Sequence, residues 1–147
     1  MNIFKSKPCK HLLLFLIGGT IYIFIEIIWR WLVGSSPTHW SMFILGGLSF
    51  LVIGEINEHL SWDIPFYIQC LIGTTGVLIL VFIFGCIVNL WLNLNVWDYS
   101  NQPLNILGQV CISFALLWFI LTAVAIVIDD YIRYWLFDEE KPHYKFK

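Results

Sequence analysis

The run VLILVFIFGCIV, from Val77 to Val88, holds no charged or amide side chain and shows no alternation of apolar and polar positions. A strand of a membrane barrel alternates lipid-facing with lumen-facing residues, so this run reads as the interior of a transmembrane helix. It lies within a longer apolar block from Pro65 to about Leu94. At 1.5 Å rise per residue, roughly 20 residues cross a hydrocarbon layer of about 30 Å, and this block exceeds that length, so it should tilt or extend beyond the lipid. Three further blocks are also long enough. The first runs from about His11 to Val33 and ends at Gly34-Ser35-Ser36-Pro37; the second runs from Trp40 to about Leu60. The fourth starts near Pro103, a residue favoured in the first turn of a helix, and runs to about Ile128.

Composition agrees with this pattern. Of 147 residues, 59% are hydrophobic and 12% charged, with a mean hydropathy of +0.80; charged residues in soluble domains are about a quarter. The expected fold is therefore all-α and integral to the bilayer. It is one domain of four transmembrane helices (about 11–33, 40–60, 65–94 and 103–128), followed by a short interfacial extension and an exposed tail at 138–147. The net charge of -2 and the placement of Lys and Arg near the two ends leave no basic surface for a nucleic acid, and that partner class is excluded.

The cationic residues also orient the chain. Lys5, Lys7 and Lys10 precede the first helix, and Arg133, Lys141, Lys145 and Lys147 follow the fourth, whereas 34–39 and 94–102 contain no Lys or Arg. Positive residues favour the cytoplasmic side, so both termini are expected there, in a multi-pass protein of the cell membrane. The first apolar run is longer than the h-region of a secretory signal, contains Glu26 and Arg30, and lacks a small-x-small cleavage site, so it is read as a retained helix.

Polar groups inside the apolar blocks point to function, because ionisable residues in a bilayer normally face the bundle interior or an aqueous cavity. Glu26 and Arg30 are four apart, on one helical face, in the favourable acid-then-base order. Counted at 1.5 Å per residue, Glu26 falls roughly 7 Å below the outer boundary and Arg30 close to it. Asn89 and Gln109 reach a similar depth on the third and fourth blocks, and Asp98 sits just above. The candidate binding residues are thus Glu26, Arg30, Asn89, Asp98 and Gln109, gathered at one outer-leaflet site. Asp98 is expected to hydrogen-bond to Arg30 or to the cap of the fourth helix, folding its loop over the site; Ser100 or Asn101 could supply that cap. A second polar set, including Glu55, Asn57, Glu58, His59, Asp129 and Asp130, belongs to the cytoplasmic side. Glu55, Glu58 and His59 share a face but lack the matching carboxylate and Glu-x-x-His elements of a di-metal bundle, so no metal or other cofactor is expected.

The segment Trp97-Asp98-Tyr99-Ser100, with Pro103, Asn105, Gly108, Cys111 and Trp118 at their spacings, resembles the signature of the putative ABC-transporter type IV family of small bacterial membrane proteins. Similarity continues through AIVIDDYIRYWLF and EEKPHYK, and Glu26 falls where the family's first helix commonly carries a glutamate. Where many members carry another glutamate in the third helix, this chain has Val81. The resemblance implies a permease-like subunit of the bacterial inner membrane that takes a solute or lipid headgroup. With no nucleotide-binding domain encoded, such work requires a homo-oligomer or a partner membrane or ATPase subunit. Two other classes stay open: a membrane-embedded enzyme acting on lipid, with Glu26 or Asp98 as acid or base and Arg30 as anion clamp, and a non-catalytic interaction protein.

Overall fold

The structure, a computed structural model, describes residues 6–147. Lys5, one of the cationic residues before the first helix, lies outside them. Four long helices make up the fold: α1 (Lys7–Val33), α2 (Ser41–His59), α3 (Phe66–Gly85) and α4 (Ile112–Phe137), with a π-helical segment, Cys86–Trp91, extending α3. All four are long and apolar enough to cross a membrane when α3 is counted through Trp91. Among the described residues there is no strand, only two isolated bridges.

α2 is the centre of the bundle and has the largest buried share of the four spans. It packs against α1, α3 and α4. Small residues let α1 approach it closely, in a reciprocal way. Gly18 and Gly19 of α1 lie under Phe50 and Phe43 of α2, while Gly46 and Gly47 of α2 lie under Tyr22 and Phe15 of α1. A Cβ on Gly46 would come within 2.3 Å of the Tyr22 Cβ, so any larger residue would push the helices apart. On the other side Met42, Leu45, Ile53 and Ile56 of α2 share a core with Val77, Val81 and Val88 of α3 and its extension and with Trp118 and Ile126 of α4. Val81 is buried there among apolar neighbours.

α1 begins at Lys7, a turn before the expected His11, and both ends of α4 differ from the sequence expectation. α4 begins at Ile112 rather than at Pro103, because the backbone leaves helical space before it. Leu104 and Leu107 both have φ near 51° and Gly108 has φ 69°, left-handed conformations that interrupt a right-handed helix. Their apolar side chains misled the hydropathy reading: Leu104, Ile106 and Leu107 point outward. At the other end α4 continues without a break through Phe137, so the residues expected to form an interfacial extension are its last turns. The segment after it is mostly exposed but tethered. The Phe66 N–H donates to the Lys145 carbonyl, Lys145 pairs with Asp63, and Tyr144 packs on Phe66 while its hydroxyl donates to Asp130 at 2.8 Å.

Candidate functional site

Near the end of α1, the Arg30 guanidinium donates in three directions. Its Nε bonds Glu26 at 2.6 Å; Nη1 bonds the Ser36 carbonyl at 3.3 Å and the Ser36 hydroxyl at 3.2 Å; Nη2 bonds the Val96 carbonyl at 2.8 Å. Four of the five guanidinium N–H groups are thus used internally. Side-chain exposure is 11% for Arg30 and 13% for Glu26, low enough for the ion pair to be electrostatically strong. The second Glu26 oxygen accepts no hydrogen bond from the described residues and remains available.

Asn89 and Gln109 meet in a buried contact. The Asn89 amide donates to Gln109 Oε1 at 2.9 Å, and its own oxygen accepts from the Val96 N–H at 2.7 Å. The opposite face of that residue, the Val96 carbonyl, is what Arg30 holds. A continuous relay therefore runs from Gln109 through Asn89 and the Val96 backbone to Arg30 and Glu26. Asn89 gets its position from the π-helical segment, whose wider turn is a common device at functional sites. Gly85 makes room for the arrangement, since a Cβ there would lie 2.6 Å from Gln109 Oε1 and 2.9 Å from the Trp97 ring.

The segment from Trp97 to Gln109 is held together by its own side chains. Asn105 donates to the carbonyls of Ser100 and Gln102 at 3.1 and 2.9 Å and accepts from the Gly108 N–H at 3.0 Å. Trp97 Nε1 donates to the Gln109 carbonyl at 2.9 Å. Asp98 does not reach Arg30 or the start of α4, contrary to the expectation from sequence. One of its oxygens accepts the Ser100 N–H at 2.9 Å and the Ser100 hydroxyl, closing a local turn that explains the Asp98-Ser100 pairing. Those hydrogen bonds hold its carboxyl below the usual aspartate value. Nor do Ser100 or Asn101 cap α4; the N-cap position is Cys111, in extended conformation and without a side-chain cap. The loop is nevertheless tied to α1, through the Val96 backbone instead of the Asp98 side chain.

Beneath this loop lies a cavity of about 620 Å³, bounded by α1, the start of α2, the loop and the first turns of α4. That volume is within the usual range for small-molecule sites. Glu26, Arg30 and Asp98 line it; Asn89 and Gln109 do not, and act on it by fixing the loop. Six aromatic side chains form much of its remaining wall. Tyr99 stacks on Phe114 with ring centroids 4.4 Å apart, Trp29 meets Phe114 edge-on, and Tyr22 stacks on Trp118 at 5.3 Å. Burial, followed by the nearby Glu26 carboxylate, pushes the Tyr99 phenol well above its ordinary value, so it stays a neutral donor.

The opposite end of the bundle carries its own ionic cluster. Asp129, fully buried against Gly54, accepts from Arg133 Nε at 2.6 Å. Arg133 also approaches Glu58 at 3.5 Å and Glu139 at 3.7 Å, and Glu139 pairs with Lys10 of α1. Asn57 donates to Asp130 at 2.6 Å. His11 and His59 both approach Glu55, at 3.0 and 3.2 Å. The i, i+4 spacing of Asp129 and Arg133 is legible in the sequence; the arrival of Lys10 and Glu139 from distant segments is not.

The family model described as putative ABC-transporter type IV matches residues 13–142, a span that includes both ends of the relay and the whole cavity. The chain belongs to the putative ABC-transporter type IV family. With four apolar helices, it is a multi-pass helical membrane protein of transporter type. No solved structure matches it.

Proposed function

We propose that this chain is the membrane-spanning, permease-like subunit of a transport assembly, and that it engages a solute or lipid headgroup in the cavity between α1, α4 and the 92–111 loop. The cavity itself carries the reading: in a transporter-type family, a chain of only four spans keeps about 620 Å³ of polar and aromatic space at one end of its bundle. Glu26 and Asp98 supply recognition, Arg30 ties the loop to α1, and Asn89 and Gln109 position that loop. Both termini lie in the cytoplasm of a bacterial cell in this reading, which puts the cavity in the outer leaflet. Since four helices enclose little by themselves, the working unit is a homo-oligomer or a complex with an ATP-hydrolysing partner.

Arg30 bears on the choice between binding and catalysis. A guanidinium with four of its N–H groups committed to Glu26, Ser36 and Val96 keeps one for a ligand, which supports a tie between α1 and the loop over the two-pronged anion clamp that a lipid-acting enzyme would need. Purification in mild detergent, with mass spectrometry of the retained proteins and lipids, tests the assembly; an ATPase subunit should coelute. Cysteine introduced at Ser36 or Asn101 should react with an impermeant thiol reagent in intact cells, and cysteine at Lys145 should not. Labelling at Lys145 alone would invert the topology, and a solitary chain that retains nothing would refute the assembly.

A further inference from the structure

The cavity is not closed on the bilayer side. The backbones of α1 and α4 both lean on α2 and stay apart from each other, bridged near the cavity by the Tyr22–Trp118 and Trp29–Phe114 ring contacts, and below the cavity a narrow apolar cleft lies between them. Tyr22, Ile25, Trp118 and Leu121 line both spaces, and Val124 and Ile128 of α4 continue the cleft toward the other leaflet. Ile25 is 39% and Val124 52% exposed, so the cleft faces sideways, where lipid would be. A ligand confined to the polar cavity would leave this apolar extension unused.

The net charge left for a ligand is negative: Glu26 and Arg30 cancel, and Asp98 has no cationic partner among the described residues. Arg30 is compensated by Glu26 and by the carbonyls of Ser36 and Val96. The two acids that line the cavity, Glu26 and Asp98, each keep one carboxylate oxygen that accepts no hydrogen bond from the described residues. Around them stand the rings of Tyr22, Trp29, Trp97, Tyr99, Phe114 and Trp118. Aromatic faces beside carboxylates favour an organic cation, most of all an alkylated ammonium. An anionic headgroup would meet the Asp98 carboxylate, which has no cationic partner among the described residues, and only one uncommitted N–H of Arg30.

We propose that the site takes an amphiphile with an ammonium headgroup and an alkyl chain, the headgroup in the aromatic and carboxylate-lined cavity and the chain in the cleft between α1 and α4. This deepens the reading of the cavity as a ligand site and rests on it. Cavity and cleft share Tyr22, Ile25, Trp118 and Leu121, so a molecule with its headgroup in the cavity of about 620 Å³ lays the first methylenes of its chain in the cleft, of about 60 Å³, and the rest in the bilayer from which it enters.

The test is equilibrium binding to the purified full chain in maltoside micelles, with three labelled probes at low mole fraction: dodecyltrimethylammonium, dodecyl sulfate and tetramethylammonium. The first should bind saturably, about tenfold or more tighter than either of the others, since it alone both buries methylenes and brings a cation to the carboxylates and aromatic faces. Asp98→Asn should weaken dodecyltrimethylammonium severalfold without touching the Arg30 relay. Val124→Trp, at an exposed position that a bulky ring can occupy without entering the core, should weaken it by filling the cleft and should leave tetramethylammonium unaffected. Equal binding of dodecyl sulfate overturns the cationic headgroup and leaves the cavity reading intact. Equal binding of tetramethylammonium overturns the chain and points to a soluble solute. Efficient disulfide formation between copies carrying Val124→Cys would mean that a second copy covers the cleft, which overturns lateral entry. Absence of saturable binding by all three probes overturns the amphiphile and the cavity reading together.

Discussion

Removing Arg30 should damage the protein more than removing its acidic partner. Arg30→Met takes away all four hydrogen bonds from the guanidinium and strands Glu26, whose side chain is 13% exposed; breaking a buried pair from one side costs about 3–5 kcal/mol. Glu26→Gln is milder. Arg30 loses its counter-ion, but the amide oxygen still accepts from Nε and the Ser36 and Val96 carbonyls still solvate the guanidinium, so the loss is about 1–3 kcal/mol. In the double variant no charge is stranded, and what remains is the loss of the three contacts to the Ser36 carbonyl and hydroxyl and the Val96 carbonyl, about 1–3 kcal/mol. The singles therefore sum to more than the double, with a coupling on the order of 1.5 kcal/mol or larger. Reversible unfolding in mixed micelles, followed by tryptophan fluorescence and circular dichroism, measures all three. If Glu26→Gln costs as much as Arg30→Met, or if the double equals the sum, Arg30 is not the tie between α1 and the loop.

Asn89→Ala leaves the Val96 N–H and the Gln109 side-chain oxygen without their partner, so a loss of about 2–4 kcal/mol is expected, with faster hydrogen exchange across 96–109 as the diagnostic readout. Gly108→Ala should cost about 1–3 kcal/mol, since the position is left-handed and the new Cβ would sit 2.7 Å from the Ser100 hydroxyl. Gly34→Ala, also left-handed but facing open space, should cost only about 1 kcal/mol, and thermal stability in detergent separates the two. The Ser100 hydrogen bonds lower the folded Asp98 carboxyl below its ordinary value, so its contribution to loop order is complete above the ordinary aspartate range and is lost as pH falls below it. Proteolysis of the 96–109 loop should therefore rise in acid, and Asp98→Asn should abolish that acid-dependent increment.

Apolar runs of spanning length are visible in any composition-based reading, which is why the four spans are legible from the residues alone. The start of α4 is not, because Leu104, Ile106 and Leu107 carry the hydropathy of a helix while Leu104 and Leu107 adopt left-handed backbone angles that their side chains do not announce. Glu26 and Arg30 are legible as a pair for the opposite reason: their i, i+4 spacing imposes the contact once a helix forms. The partners that tie Arg30 to the loops are the Ser36 and Val96 carbonyls, and a backbone acceptor has no signature of its own in a sequence. Asp98 shows the same limit. Its position suggests a long-range bond, and the structure spends it on a serine two residues away.

The π-helical segment Cys86–Trp91 makes the site depend on counting. An α turn holds 3.6 residues and a π turn more, so a π segment behaves like an insertion that the helix has absorbed without breaking. Deleting one residue between Gly85 and Asn89 would let α3 close as a regular helix and would rotate Asn89 by about 100°. Hydropathy, length and charge would barely change, and a bilayer would accept the shortened span. Asn89 would then face away from both Gln109 and the Val96 N–H, freeing the loop from α3 while its own internal hydrogen bonds stayed intact. A chain of the same family could thus gain or lose the anchored loop by a single codon, with every residue of the loop and of the Glu26–Arg30 pair still in place.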